Sequence, residues 1–294
     1  MRRVLICGAS GRLGSAIVSA FADSEVIAPA HAALDVTSAD AVRAAVRAAA
    51  PDTIVNCVGF NDVDRAEDAA EEALTVNAFA VRTLARAADD AGATFVHFGS
   101  DFVFDGNSHL PYGEDETPSP RSTYAATKLL GDWFALDVER GFVLRVESLF
   151  GSPRAGSDRR GSLDTIVDRL QDGVEVEAFT DRVVSPSYVE DVARATKHLV
   201  ESGAAPGLYH CVNSGYATWY EIAETAARLL DVVPRIRGIT LDDVRLRASR
   251  PRFSALDNRK LAAAGFEMPA WQDALQRWLK APLSRRDRIS GVHG

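Results

Sequence analysis

Tyr124 and Lys128 stand at i and i+4 in Tyr124-Ala125-Ala126-Thr127-Lys128. That spacing puts a phenol and an ammonium one above the other on one helix face. Helices carry this pair by chance, and alone it reads as a surface contact. Two further features change its meaning: Gly8-Ala9-Ser10-Gly11-Arg12-Leu13-Gly14 follows the first apolar run at once, and Phe98-Gly99-Ser100-Asp101 closes another. Carbonyl reduction needs such a set, because a hydride donor must be held, the new oxyanion needs a proton, and the carbonyl needs polarising. A free Tyr ionises near about pH 10, too high for easy exchange at neutral pH. Lys128 is therefore expected to favour the Tyr124 phenolate, lower its pKa and hold a cofactor ribose. Ser100 is expected to hydrogen-bond the substrate carbonyl.

The glycines permit a tight turn and let backbone N–H groups approach a pyrophosphate at the positive end of the following helix. Glycine-rich turns also serve merely to pack a helix on a strand, but a strand before and a helix after favour nucleotide binding. The end of the second strand normally carries an acid for the ribose of NAD or an Arg for the 2′-phosphate of NADP. Here it reads Ala28-Pro29-Ala30-His31, with neither. Arg12 tilts the reading toward NADPH over NADH if it reaches a 2′-phosphate, and is otherwise a solvated cation. Asp35 and Val36 offer a carboxylate to the adenine amino group and an apolar wall to its ring; the bland alternative makes Asp35 a turn or cap residue.

Those residues need a scaffold, and the chain supplies an alternating one. Short apolar runs at Val4-Leu5-Ile6, Val26-Ile27, Thr53-Ile54-Val55, Phe95–Phe98 and Phe142–Val146 alternate with helical segments over residues 14–22, 38–50, 67–91 and 122–139. Ser38 precedes its helix as an N-cap and Pro51 closes it. Alternation of this kind implies right-handed βαβ crossovers and a mostly parallel sheet covered on both faces. From residue 151 to 161 the chain is polar and rich in breakers, which suggests a domain boundary. Beyond it, strands at 174–179 and 207–212 flank a helix at 189–202, and helices follow near 218–230, 257–264 and 271–280. Residues 284–294 are polar and basic and are expected to fray.

The 294 residues carry 33 Lys and Arg against 41 Asp and Glu, a net charge of −8, which argues against a protein that wraps nucleic acid. With 47% hydrophobic and 25% charged residues the chain reads as globular rather than disordered or fibrous. No apolar run nears the roughly 18–20 residues that span a bilayer, and the opening run is too short for a signal peptide, so it reads as a strand. Cys7, Cys57 and Cys211 fit neither a disulfide framework nor a zinc site; they read as reduced, buried and cytoplasmic. The six His are scattered and suggest no metal.

At this point the residues resemble the extended short-chain dehydrogenases/reductases, and within them the dTDP-4-dehydrorhamnose reductase family. The resemblance covers nearly the whole chain. It runs from the glycine loop through Asn56-Cys57-Val58-Gly59, Asp64-Arg65-Ala66-Glu67 and Val76-Asn77-Ala78 to Gly99-Ser100-Asp101-Phe102-Val103-Phe104-Asp105-Gly106. It continues through Pro111-Tyr112, Glu116-Thr117-Pro118, Tyr124 to Lys128, Gly131-Asp132, Ser185-Pro186-Ser187-Tyr188 and Arg250-Pro251 to Leu256-Asp257. The resemblance implies an α/β, Rossmann-type doubly wound parallel sheet with a smaller C-terminal substrate-binding domain. Residues 1–151, with 181–213 returning, would hold the dinucleotide; 152–180 and 214–294 would cover the sugar nucleotide. It implies Tyr124 as proton donor, Lys128 as its partner and Ser100 as the polarising hydroxyl. Gly8, Ser10, Gly11, Arg12, Leu13, Gly14, Asp35, Val36, Val58, Gly59 and Phe60 fall at the dinucleotide, and Ser100, Asp101, Tyr124, Ser148 and Arg250 at the substrate. Phe60, where a small or polar residue is usual, would narrow the pocket wall.

The departures fall on the substrate side. The family pattern Arg-Thr-Ser-Trp-Val-Tyr-Gly becomes Arg145-Val146-Glu147-Ser148-Leu149-Phe150-Gly151, so Ser148 replaces the aromatic. The next loop offers Arg154, Arg159 and Arg160 to a diphosphate, although such a cluster is more often solvated. The leading expectation is an NAD(P)H-dependent reductase of a nucleotide-activated 4-keto-6-deoxy-sugar, serving cell-surface polysaccharide or glycosylated natural-product synthesis, with a homodimer open. A sugar-nucleotide epimerase or dehydratase of the same superfamily stays as an alternative, though those relatives generally carry an acid at the second strand. So does a non-catalytic relative resembling the regulatory subunit of methionine adenosyltransferase, against which Ser100, Tyr124 and Lys128 together argue.

Overall fold

The computed structural model describes residues 1–151 and 161–281. Arg154, Arg159, Arg160 and the 284–294 tail lie outside the described residues. Five strands, β1 (Arg3–Cys7), β2 (Glu25–Ile27), β3 (Thr53–Asn56), β4 (Thr94–Ser100) and β5 (Gly141–Val146), join a sixth at Gly207–His210 in one sheet. All neighbours are parallel, in the order β2-β1-β3-β4-β5 and then the sixth strand. The chain runs outward from β1 to β2 and then returns to the other side of β1 for β3. The order therefore reverses between β1 and β3, where open parallel sheets keep their ligands, at the carboxyl ends of the strands.

The near-continuous apolar runs follow from burial on both faces. Val4 and Ile6 face helix α1 (Arg12–Ala20) and the helix Val189–Glu201, packing with Ile17, Phe21, Val192 and Leu199. Leu5 and Cys7, one residue out of phase, face helix α2 (Ala39–Ala49) and the helix Ala80–Asp90. Ser38 caps α2 by accepting the Ala41 N–H at 3.3 Å, and Ala50 ends it in the left-handed region just before Pro51.

The expected helix over 67–91 is broken. It becomes Arg65–Asp68, Ala70–Leu74, a π-helical turn at Thr75–Phe79, and Ala80–Asp90. The cause lies in Asn77, whose buried side chain accepts the Phe60 N–H at 2.8 Å. It also donates to the Phe60 carbonyl at 3.0 Å and to the Thr127 hydroxyl at 3.1 Å. The extra residue of a π turn swings it inward, and apolar periodicity does not register that shift.

A second hydrophobic cluster gathers Leu163, Ile166 and Leu170 with Trp219, Ile222 and Trp271. It packs on Val176–Phe179, which pairs in parallel with Ile236–Ile239. The latter strand was not expected, because a four-residue run interrupted by Gly238 carries little strand signal. The helices expected near 218–230 and 271–280 form at Trp219–Leu230 and Trp271–Lys280, and the one near 257–264 shortens to Arg259–Ala263. No described helix is long and apolar enough to cross a membrane.

Candidate active site

Gly8 leaves β1 with φ +80°, and a Cβ there would lie 3.0 Å from the Cys57 carbonyl carbon and the Val58 nitrogen on the neighbouring strand end. Gly14 is tighter, since a Cβ would meet the Gly8 carbonyl oxygen at 2.1 Å. The loop can therefore fold back on itself only with glycine at these places. Ser10 and Gly11 are exposed at its tip, while Leu13 packs below it. The result is a tight turn at the N-terminus of α1, beside Val58 across the strand-order reversal, and backbone N–H groups at a helix N-terminus suit a pyrophosphate. Cys7, behind the cradle, has its thiol pushed up to about 12 by burial.

Arg12 is engaged elsewhere. Its guanidinium pairs with Asp164, near the start of the helix Ser162–Gln171, and donates to the Gly151 carbonyl. In this arrangement it bridges the glycine loop to the helix Ser162–Gln171 instead of pointing at a 2′-phosphate. Asp35 adopts the turn role: its carboxylate accepts the Thr37 N–H at 2.9 Å and the Thr37 hydroxyl at 2.7 Å, which holds its pKa below the usual carboxylate range. It still lines a 720 Å³ cavity with His31, Thr37, Glu71 and Val76, beside buried Val36. Phe60 turns inward, packing with Ala66, Ala73 and Tyr124 beneath the Arg65 guanidinium.

Ser122 caps the next helix, Thr123–Leu136, by accepting the Ala125 N–H at 3.2 Å. Tyr124, Lys128 and Asp132 form one buried stripe along it, four residues apart, against the end of β4. The Tyr124 phenol is buried near Ser100, at the end of β4. Its pKa is raised, chiefly by burial and further by Asp101 and Asp132, with the neighbouring Ser100 hydroxyl working in the opposite direction. The expectation that Lys128 pulls the phenol down is not met here. The ammonium instead donates to the Phe98 carbonyl at 2.5 Å, and burial lowers its pKa to about 8, partly offset by Asp132. Behind it, Asp132 accepts from Arg145 at 3.0 Å, with both side chains almost fully buried. Gly99 makes room for this pair, because a Cβ there would sit 2.6 Å from the Asp132 carboxylate. His97, next in the stack, is kept neutral by burial first and by Lys128 second.

On the substrate side, Ser148 is half-buried with φ +46°, a left-handed conformation that side chains rarely adopt. Arg250 does not point freely into the site: it pairs with Asp64 at 2.8 Å and lies over the Phe102 ring, whose edge meets Tyr124. Three residues beside Asp101 were not singled out from sequence as site residues: Glu147, Arg182 and Ser254. Glu147 was visible only as a departure from the Ser of the family pattern, and the other two sit in no motif.

The match to known proteins follows this geometry. The family model described as RmlD substrate binding domain matches residues 1–283. The chain belongs to this family. Among RmlD-family relatives, a probable dTDP-4,6-dihydroxy-2-methyloxan-3-one 4-ketoreductase of Streptomyces antibioticus is 35% identical over 93% of each chain. A dTDP-4-dehydrorhamnose reductase of Streptomyces griseus is 34% identical over 97% of this chain and 96% of its own. The structure of a Bacillus anthracis dTDP-4-dehydrorhamnose reductase in complex with NADP superposes with a TM-score of 0.88. It is 26% identical and covers 95% of this chain and 98% of its own.

Proposed function

We propose that this RmlD-family chain is an NAD(P)H-dependent reductase of a dTDP-activated 4-keto-6-deoxy-sugar. The observation that carries the reading is the gathering of buried Ser100, Tyr124 and Lys128 at the carboxyl end of β4, in the same sheet whose strand order reverses at the glycine loop. Gly8, Ser10, Gly11, Leu13 and Gly14 would hold the pyrophosphate, and Val36, Val58, Gly59 and the Asp35 cavity would take the adenosine end. Residues 1–151 with 181–213 form the dinucleotide lobe in this reading, and 152–180 with 214–294 form the sugar-nucleotide lobe. The protein would work in the cytoplasm.

The reduced nicotinamide, when bound, supplies hydride to the carbonyl carbon. Ser100 donates to the carbonyl oxygen and draws electron density toward it. Tyr124 delivers its proton to the same oxygen as negative charge develops there. Lys128, a buried ammonium one turn from Tyr124, holds the ribose. Water has little access, because Ser100, Tyr124 and Lys128 are each less than a tenth exposed.

Oxidation of NADPH and of NADH, followed by absorbance with a dTDP-4-keto-6-deoxy-sugar, tests the reading. Tyr124→Phe should lower turnover on the order of 1,000-fold while leaving dinucleotide affinity nearly unchanged. Retained turnover removes Tyr124 from its role. The NADPH-to-NADH ratio reports whether Arg12 leaves Asp164 for a 2′-phosphate.

A further inference from the structure

Tyr124 is seated largely on one stretch of chain. Its ring packs with Phe60, Ala66 and Ala73, and the Phe102 ring meets it edge-on at 5.6 Å. The main chain beside it is tied to the same stretch by Glu67, on the four-residue helix Arg65–Asp68. Glu67 Oε1 accepts the Thr123 N–H at 2.8 Å, and Oε2 accepts the Thr123 hydroxyl at 2.9 Å. Thr123 opens the helix Thr123–Leu136 and directly precedes Tyr124.

An N–H at that position has no partner within its own helix. Ser122 serves later donors, accepting the Ala125 N–H through its side chain at 3.2 Å and the Ala126 N–H through its carbonyl at 3.0 Å. Those two bonds shape the first turn, but they do not place it in the molecule. Glu67, 56 residues away in sequence, does place it. Two bonds to one residue oppose both sliding and turning of the helix end, and a carboxylate suits the positive end of a helix.

The helix Arg65–Asp68 is anchored elsewhere too. Asp64, just before it, accepts the Ala248 N–H at 2.9 Å and pairs with Arg250 at 2.8 Å, and Asp68 pairs with Arg247 at 2.7 Å. The residues that follow Glu67, from Asp68 to Glu72, line the 720 Å³ cavity that Asp35 also lines. An occupant of that cavity and the end of the Tyr124 helix therefore bear on adjacent residues of a single segment.

We propose that Glu67 is a positioning residue: it sets Tyr124 through Thr123 and transmits the seating of the dinucleotide's adenosine end to the proton donor. The proposal rests on the reading above, in which the adenosine end fills the Asp35 cavity and Tyr124 delivers the proton. Delivery requires the phenol oxygen within hydrogen-bond reach of the sugar oxygen. A displacement of about 1 Å costs on the order of 100-fold in rate. Contacts between the adenosine and residues 68–72 restrain the segment from which Glu67 holds Thr123. Binding at one end of the cofactor thereby fixes geometry at the other, which is how remote contacts raise kcat.

Glu67→Ala and Glu67→Gln separate position from charge. In the glutamine variant the amide oxygen can accept the Thr123 N–H while the NH2 donates to the Thr123 hydroxyl oxygen, so both contacts persist without the charge. With NADPH and a dTDP-4-keto-6-deoxy-sugar, Glu67→Ala should lower kcat on the order of 10- to 100-fold. Sugar KM and the calorimetric dinucleotide affinity should stay within about threefold of the parent, and Glu67→Gln should recover most of kcat. An unchanged kcat in Glu67→Ala, an equal loss of dinucleotide affinity, or a glutamine variant as slow as the alanine one overturns the proposal. Should Glu67→Ala not fold, Thr123→Val takes its place. It keeps the N–H contact and loses the hydroxyl one, so kcat should fall on the order of threefold; an unchanged kcat there also overturns the proposal.

A second readout needs no turnover. Isotopic labelling at the phenol carbon gives a magnetic-resonance signal for each of the six Tyr, and Tyr124→Phe identifies the one from Tyr124. Adenosine monophosphate, which carries only the adenosine end, should shift that signal in the unaltered protein and leave it in place in Glu67→Ala, while binding both. A Tyr124 signal indifferent to the bound nucleotide, or shifted equally in both proteins, overturns the transmission. Adenosine monophosphate that does not bind, or turnover retained in Tyr124→Phe, would instead sink the reading of the site, a separate outcome.

Discussion

The glycine-loop wall of the site is made of backbone, whereas the Tyr124 wall is made of buried charge. On the first, Gly8 and Gly14 leave room for the main chain to approach itself within a single local turn. On the second, Asp132, Arg145, Lys128, Asp101 and Glu147 come from three stretches of sequence and are each almost entirely shielded from water. A backbone wall fails when a single atom is added. A charged wall fails when a single charge is removed, because its partner is stranded in a medium that cannot solvate it.

The largest expected break follows from that asymmetry. Asp132→Asn leaves Arg145 buried without its counter-ion, and denaturant unfolding should register a loss of about 3–5 kcal/mol. A loss under about 1 kcal/mol would mean that Phe104, beneath the guanidinium, or water takes over the role of the carboxylate.

The charged wall and its continuation toward the sixth strand should also respond to pH. His97 is held well below its ordinary value, and burial lowers His210 to about 3, with Arg145 adding to the effect. Both are bases with a folded pKa below the unfolded one, so as pH falls below about 6.5 the unfolded chain takes up protons that the folded chain refuses. Stability should drop by about 2 kcal/mol for each histidine between about pH 7 and pH 5. A His210→Asn variant should show roughly half the slope, and an unchanged slope would place the titration elsewhere.

Gly14→Ala probes the backbone wall. A Cβ 2.1 Å from the Gly8 oxygen forces the loop open, which should cost about 1–3 kcal/mol and weaken dinucleotide binding measured by calorimetry, with no new pH dependence. Unaltered binding would show that the cradle is not where the dinucleotide sits. The smallest effect is expected at Ser148, where glycine relieves the left-handed strain. Ser148→Gly should stabilise the fold by about 0.5–1 kcal/mol, seen as a higher unfolding midpoint; a lower midpoint would mean that the serine side chain contributes more than its backbone costs.

The amino-acid sequence by itself determined the alternating scaffold, the glycine cradle, and the positions of Ser100, Tyr124 and Lys128. Each is written locally: apolar period for the strands, steric need for Gly8 and Gly14, and helical spacing for Tyr124 and Lys128. Only the tertiary structure decided that Arg12 answers to Asp164, that Arg250 answers to Asp64, and that Lys128 reaches the Phe98 carbonyl. It also decided the break at Asn77, whose partners are Phe60 and Thr127, 17 and 50 residues away. Glu147 and Ser254 meet across 107 residues. The physical reason is common to all of them: the protonation and orientation of a buried polar group depend on which distant groups share its low-dielectric surroundings, and chain spacing does not carry that information.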